Sequence, residues 1–462
     1  MAETIRLLAF GLAEAFLRGP WTANALADRA CQVLLPQTDR AWIASLSRRI
    51  IAKFPGPTRP VAASLIHFIE RNRSFLYYCQ DQTNLRHLCF DFDLSQLPQL
   101  TMQPSAGAAS NWPLPPLVSL DDVAEWLGIG VNELEWFADC RGQEAKLPEG
   151  PLRQYRYRWI AKSSGGYRLL EVPKQRLKRI QRKILDEILN AIPPHTAAHA
   201  FRPGRSVSTL VAPHVNQRIV ISMDLREFFP SVRASQVHAL FRAAGYPERV
   251  ASILTGLCTN VTPQTTLLKC EGDFSSNQRW MRYKIPHLPQ GAPTSPALAN
   301  LAAFWLDCRL SGLARKVNAN YTRYADDLVF SGGPVLSRCS SRFRVLIAAI
   351  AHNEGFEIRR RKTREMRSGS CQRVAGITLN RHANIPRQEY DTLRATLHNC
   401  RRHGPSSQNR NGHERFREHL LGRIAYWSTI CAARAKKLHE IFDDIAWDEN
   451  RSMLDESNSN VQ

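Results

Sequence analysis

The stretch NYTRYADDLVFSG, residues 320–332, decides how this chain is read. Two runs rich in Tyr, Thr, Val and Phe flank a tight turn at Ala325-Asp326, the pattern of a β-hairpin. Its tip carries two adjacent carboxylates, Asp326 and Asp327. Like charges crowded on a turn repel, so stability alone does not favour them. A divalent cation reverses that balance, because hard oxygen ligands suit magnesium. The string is short enough to arise by chance and needs company.

The company lies about a hundred residues upstream, in RIVISMDLREFFPSV, residues 218–232. The apolar run Ile219, Val220, Ile221 and Met223 ends on Asp224, as a buried strand presents one carboxylate at its tip. Taken alone, Asp224 also reads as a helix N-cap. Beside the hairpin, Asp224 and Asp326 suit two metal ions about 4 Å apart, a pair that activates a 3′-hydroxyl and stabilises departing pyrophosphate. A third element, PHLPQGAPTSPALANLAAFWLD, covers residues 286–307. Small residues Gly291, Ala292, Thr294, Ser295 and Pro296 open a helix whose Leu298, Leu301, Ala302 and Trp305 are spaced to pack on a sheet. A loop of small residues lets a nucleotide and a template base approach the backbone.

In this order, the three elements resemble the palm of reverse transcriptases, with motif A at Asp224–Val232, motif B at Leu288–Pro296 and motif C at Tyr324–Asp327. The resemblance covers about residues 119–440. HTAAHAFRPGRSVSTL, YTRYADDLVFSG and QRVAGITLN narrow it to bacterial retron-type enzymes. It implies an α+β right-hand fold of fingers, palm with antiparallel sheet and helical thumb. It implies Asp224, Asp326 and Asp327 as ligands of two Mg2+ ions, and Phe229 as a gate against a ribose 2′-hydroxyl. Gln290, Gly291 and Tyr324 then lie beside the incoming nucleotide, Lys162 and Arg168 grip its triphosphate, and Lys362 protonates pyrophosphate. Phe229 also reads as a core aromatic. Lys362, next to Arg359-Arg360-Arg361, also reads as one more phosphate-facing cation. RNA contacts are implied at Arg205, His214, Val374 and Gly376. Two departures stand out. Family members carry Asn-Ala-x-x-His after the Gly-Arg-Ser segment, where this chain has Leu210-Val211-Ala212-Pro213-His214; and Val-Thr-Gly downstream, where it has Val374-Ala375-Gly376.

Working outward, YRYRWIAK, a Gly165-Gly166 turn and YRLLEVP predict a second hairpin over residues 155–173. The basic helix KQRLKRIQRKILDEILNAI follows, with Leu177, Ile180, Ile184, Leu185 and Ile188 on one stripe. Its cations, Arg179 and Lys183 among them, read either as a solvated face or as RNA contacts. Ser119 and Asp122 predict a capping box for a helix ending at Gly128, with a second helix from about Val131 to Ala138. TMQPSAGAASNWPLPPLV, residues 101–118, reads as a linker. Helical spacing recurs in Ile5, Leu8, Leu12 and Phe16, and in Ala41, Leu46, Ile50 and Ile51. The expected organisation is a helical extension over 1–100, linker 101–118, helical pair 119–141, fingers 142–217, palm 218–380, helical thumb 381–447 and a tail 448–462.

The 462 residues carry a formal net charge of +21, which points to nucleic acid as partner. No stretch reaches the ~20 apolar residues of a membrane span. Glu3 and Glu14 make the N-terminus an amphipathic helix rather than a signal peptide. Eleven scattered cysteines suit reduced thiols in a cytoplasm, and Cys79, His87 and Cys89 lack a second ligand pair for zinc. The leading reading is an RNA-directed DNA polymerase that copies a cognate retron RNA into branched DNA in anti-phage defence. Its expected partners are the non-coding RNA, an RNA–DNA hybrid, deoxynucleotides and a separately encoded effector. Alternatives are a defence-associated or intron-derived reverse transcriptase with ordinary priming, and a non-enzymatic RNA scaffold. The intact Asp224, Asp326, Gln290 and Lys362 speak against the scaffold.

Overall fold

The computed structural model describes residues 2–17, 20–34, 41–55, 60, 62–80, 102, 112–140, 142–162, 166–269 and 281–447. Gly165, His87, Cys89, the middle of the expected linker and the tail lie outside them. Two compact units form, and neither is contiguous in sequence: Met1–Pro193 with Phe229–Ala302, and Pro194–Phe228 with Ala303–Gln462.

In the first unit, the helices Ala2–Leu17, Ala23–Val33, Ala41–Lys53, Ala62–Glu70 and Arg73–Cys79 share one apolar core. Leu8, Leu12, Phe16, Leu46 and Ile50, spaced as the sequence predicts, are buried in it. Each such side chain contributes roughly 1.5–3 kcal/mol on burial. Buried Arg29 donates to the carbonyls of Ala15 and Phe16, which the end of the first helix leaves without partners, and to that of Pro20 beyond it.

Further along, Ser119 and Asp122 form the predicted capping box, the helix Leu120–Leu127 stops at left-handed Gly128, and Val131–Ala138 follows. Helix Glu248–Cys258 packs against Val131–Ala138 so closely that a Cβ on Gly256 would overlap the Ala138 carbonyl. Strands β1 (Tyr155–Ala161) and β2 (Tyr167–Pro173) make the predicted antiparallel hairpin. One face is exposed along Arg156, Arg158 and Ile160; the other turns Leu169 and Glu171 inward. The basic helix runs from Gln175 to Glu187, with Leu177, Ile180 and Ile184 buried.

The second unit holds a four-stranded antiparallel sheet ordered β4-β5-β3-β6, with β3 Ile219–Asp224, β4 Ala319–Tyr324, β5 Asp327–Gly332 and β6 Arg364–Arg367. Both faces are covered, and for that reason β3 reads as a near-continuous apolar run, interrupted at Ser222, rather than an alternation. On one face, Val220, Val329 and Met366 pack with Leu210, Val211, Val374 and Ile377. On the other, Phe330 stacks on Tyr321 at 4.7 Å and meets Phe343 of the helix Pro334–Asn353 at 5.3 Å. A two-stranded piece, β7 (Arg373–Val374) and β8 (Ile377–Thr378), turns through Ala375 and Gly376, both at positive φ. The helices Arg387–His403, Phe416–Ser428 and Ala432–Asp443 share a core of Leu393, Leu397, Ile424, Trp427 and Leu438. No helix of the described residues is long and apolar enough to cross a membrane.

Candidate active site

The register of the sheet gathers the carboxylates. Asp224, the last residue of β3, pairs with Asp327, the first of β5, and Asp327 pairs in turn with Tyr324. Asp326 lies in the turn, where its carbonyl accepts the Leu225 amide at 2.8 Å. Ala325 makes the turn with φ of +53°, a left-handed conformation that costs a non-glycine residue roughly 1–2 kcal/mol.

Asp224 is 3% exposed. Its Oδ2 accepts a hydrogen bond from Lys362 Nζ at 2.7 Å, while Oδ1 has no hydrogen bond although Arg359 Nε stands 3.4 Å away. Burial, and then the neighbouring Asp326 and Asp224, push the Asp327 carboxyl up to about 6, against the pull of Lys362. A buried carboxylate oxygen without a donor, and a neighbouring carboxyl whose pKa is raised by burial and by like charge, fit a divalent cation. Among the described residues, however, no three acidic, His or Cys side chains are gathered into a finished ligand cluster. Magnesium tolerates this, because it commonly takes one or two carboxylates and completes its shell with water and phosphate.

In the first unit, Gly291 has φ of +135°, and a Cβ there would sit 2.9 Å from the Glu171 carbonyl oxygen and 3.3 Å from Val172 Cγ2. The Gln290 carbonyl accepts the Glu171 amide at 2.9 Å. The small-residue loop is therefore fixed to β2 by its backbone, and only glycine fits. Arg168 pairs with Ile160 across the hairpin, and side chains alternate along a strand. Arg168 thus shares the exposed face with Ile160 and with Lys162 two positions on. The same face carries Val172, beside Gly291, at its other end.

Under that loop lies a polar network that sequence reasoning missed. The Glu171 carboxylate, wholly buried, accepts from Asn260 Nδ2 at 2.9 Å and Thr262 Oγ1 at 2.7 Å, and pairs with His287 Nε2 at 2.9 Å. Burial would lower the His287 pKa, but the charge and hydrogen bond of Glu171 outweigh it and raise the pKa. The only sequence signal is a carboxylate on the inward-facing register of β2.

Phe228 and Phe229, adjacent in motif A, differ in burial. Phe228 is 4% exposed and packs 5.7 Å from the Phe356 ring. Phe229, the expected gate, is half-buried.

Two expected RNA contacts, His214 and Val374, need correction. His214 is wholly buried, its ring bonded to Ser331 Oγ at 2.7 Å and Thr322 Oγ1 at 2.8 Å, and burial lowers its pKa to about 3. It braces the sheet as a neutral imidazole and offers no face to RNA. Val374 is buried in the same apolar cluster as Leu210 and Val211. Lys183 donates to the Trp126 carbonyl at 2.6 Å and stands 5.2 Å over the Trp126 ring, which docks the capped helix while the lysine side chain stays partly exposed. Arg179, Arg205 and Gly376 are exposed. Cys79 is buried in the N-terminal core.

Carboxylates paired across the central strands of an antiparallel sheet, with a basic helix and a glycine loop encoded around them, define a nucleotidyl-transferring polymerase. Residues 160–393 match the family of reverse transcriptase (RNA-dependent DNA polymerase). The chain is 40% identical to the retron Mx65 reverse transcriptase of Myxococcus xanthus over 339 residues, 72% of this chain and 74% of that one. It is 34% identical to the retron Mx162 reverse transcriptase of the same organism, over 63% of this chain and 61% of that one. To the retron Ec86 reverse transcriptase of Escherichia coli it is 29% identical, over 62% of this chain and 80% of that one. The chain belongs to the reverse transcriptase family, in its retron-type branch, and is an RNA-directed DNA polymerase.

Proposed function

We propose that this polymerase copies a cognate non-coding RNA into DNA joined to that RNA by a 2′-5′ branch, in the cytoplasm, as the enzyme of an anti-phage retron with a separately encoded effector. The observation that carries the catalytic part is the pairing of Asp224 with Asp327 beside Asp326 in the turn. Asp224, Asp326 and Asp327 would hold two Mg2+ ions, which when bound make a hydroxyl nucleophilic and stabilise departing pyrophosphate. The remaining work falls to this chain's own groups. Lys162 and Arg168 neutralise the triphosphate. The Gln290-Gly291 backbone admits the nucleotide, with Tyr324 beside it. Phe229 closes on C2′ of the sugar, and Lys362 supplies a proton to the leaving group. Any hydroxyl placed at this site serves as nucleophile, a 2′-hydroxyl of RNA included.

What differs in a branching enzyme is how the RNA is placed. Leu210 and Val211 sit where family members carry Asn-Ala, and both are packed in the core. The exposed Arg205 and the Gly376 turn, both in this unit, are groups that can meet RNA. The test is to express the gene with its flanking DNA, extract the bound nucleic acid, digest with ribonuclease and treat with a 2′-5′ debranching enzyme. A short DNA whose gel mobility shifts on debranching supports the proposal. A DNA with a free 5′ end, unaffected by debranching, overturns the branch and leaves a reverse transcriptase with ordinary priming.

A further inference from the structure

Arg323 lies one residue before the YADD turn, in β4, and is wholly buried. Its Nε and Nη2 reach both oxygens of Asp307, at 2.8 and 2.7 Å, and Asp307 is equally buried. Nη1 donates to the Ala325 carbonyl at 3.1 Å. The guanidinium carbon stands 5.6 Å from the ring centroid of Phe228, in motif A. Tyr321 adds a hydroxyl bond to Asp307 at 2.7 Å. The Arg323 backbone is itself held: its amide donates to Ala197 at 2.7 Å, and its carbonyl accepts from His199 at 2.8 Å.

A buried ion pair is poor evidence for stability, because desolvation offsets most of its attraction and an apolar replacement often does as well. What this pair supplies is direction. The peptide unit is planar, so orienting the Ala325 carbonyl also orients the amide of Asp326. Ala325 is the residue held at positive φ, and nothing intrinsic to alanine keeps it there. The next carbonyl, that of Asp326, is pinned by the Leu225 amide just past Asp224. The turn is thus clamped on both sides of Asp326, once by Arg323 and once by the strand that carries Asp224. A lysine's three donors radiate from a single nitrogen; only the planar fork of arginine spreads separate nitrogens over both carboxylate oxygens and the carbonyl.

We infer that Arg323, held by Asp307, is a positioning residue that sets the Asp326 carboxylate relative to Asp224 by fixing the Ala325–Asp326 peptide. The inference rests on Asp326 being a metal ligand, as proposed above.

The test uses the full-length protein and three variants: Arg323→Lys, the apolar replacement Arg323→Met/Asp307→Leu/Tyr321→Phe, and Asp326→Asn. Thermal melting reports the fold, steady-state extension of a primed RNA reports kcat and KM for deoxynucleotide, and electron paramagnetic resonance titration reports Mn2+ binding without turnover. The apolar triple variant is expected to melt cooperatively, lose about a hundredfold in kcat with KM little changed, and bind Mn2+ at least several-fold more weakly. Arg323→Lys is expected to fold and to show the same pattern in milder form. A folded Lys or triple variant with wild-type kcat and Mn2+ affinity overturns the inference, as does one in which activity falls only in proportion to the folded fraction. If Asp326→Asn binds Mn2+ as the wild type does, the metal-ligand reading has failed, and the inference falls with it for a separate, identifiable reason.

Discussion

Lys362 Nζ lies 2.7 Å from Oδ2 of Asp224, closing a contact between residues 138 positions apart in the sequence. The lysine thereby stands against the carboxylate expected to hold metal, at the distance of a charge-assisted hydrogen bond. Its two readings separate in kinetics. If Lys362 delivers a proton to pyrophosphate, Lys362→Ala lowers kcat by about 10²–10⁴-fold, and Lys362→Arg fails to restore it. If it only adds positive charge, Lys362→Arg restores activity fully. Single-turnover extension across pH 6–10 distinguishes them: a fully active arginine variant sinks the proton-donor role.

Phe228 and Phe229 are expected to part company when each is truncated. Phe228→Ala opens a cavity among Phe356 and Arg323 and should cost roughly 3–5 kcal/mol of stability. Phe229→Ala, at a half-buried position, should melt within a few degrees of the wild type while incorporating ribonucleotides. The comparison needs melting curves and parallel extensions with one ribonucleotide replacing its deoxy counterpart. A well-folded, active Phe229→Ala enzyme that still rejects ribonucleotides removes the gate.

The Glu171–His287 pair makes stability depend on pH. Its folded-state His287 pKa is raised above the ordinary value of 6.5, so the folded protein binds the proton more tightly than the unfolded chain. The contribution is therefore complete below about pH 6.5 and is lost as pH rises through the folded pKa. Glu171→Gln keeps an acceptor for Asn260 and Thr262 but removes the charge. It should destabilise by roughly 1–3 kcal/mol near pH 6, and less at alkaline pH. Melting temperatures of both proteins measured from pH 6 to 9 should converge; parallel curves would show that the pair carries no pH linkage.

RNA affinity should fall steeply with salt, because exposed cations such as Arg179 and Arg205 displace counterions from phosphates. Arg179→Glu should flatten the log–log slope by about one to two units. Lys183→Glu should act differently, by loosening the helix at Trp126 and lowering the melting temperature. An equal effect of both on the salt slope would mean that Lys183 reaches RNA after all.

Much of this was legible in the sequence because it is local. The capping box at Ser119, the YADD turn and the hairpin at 155–173 each follow from residues close to one another in the sequence. Asp224 was legible because a fully covered strand announces itself as an apolar run. Glu171, His287, Asp307 and Arg323 were not, since a charged residue earns no role in one dimension until its partner is known. The partners lie 116 positions apart in the first pair and 16 in the second. His214 misled for the converse reason: the family resemblance offered it to RNA, and only the fold reveals the hydroxyls of Thr322 and Ser331 on either side of its ring.

The order of strands in the sheet has a consequence during synthesis. β3 lies between β5 and β6, both of which follow it by a hundred residues or more. At ~5–20 residues per second, the ribosome leaves Ile219, Val220 and Ile221 without either neighbour for on the order of ten seconds. Through that interval the most apolar strand of the enzyme has two open edges, each a template for pairing with another chain. Nascent molecules crowded on one messenger are then one another's nearest source of a strand. Yield at high expression should improve when translation is slowed at initiation rather than during elongation.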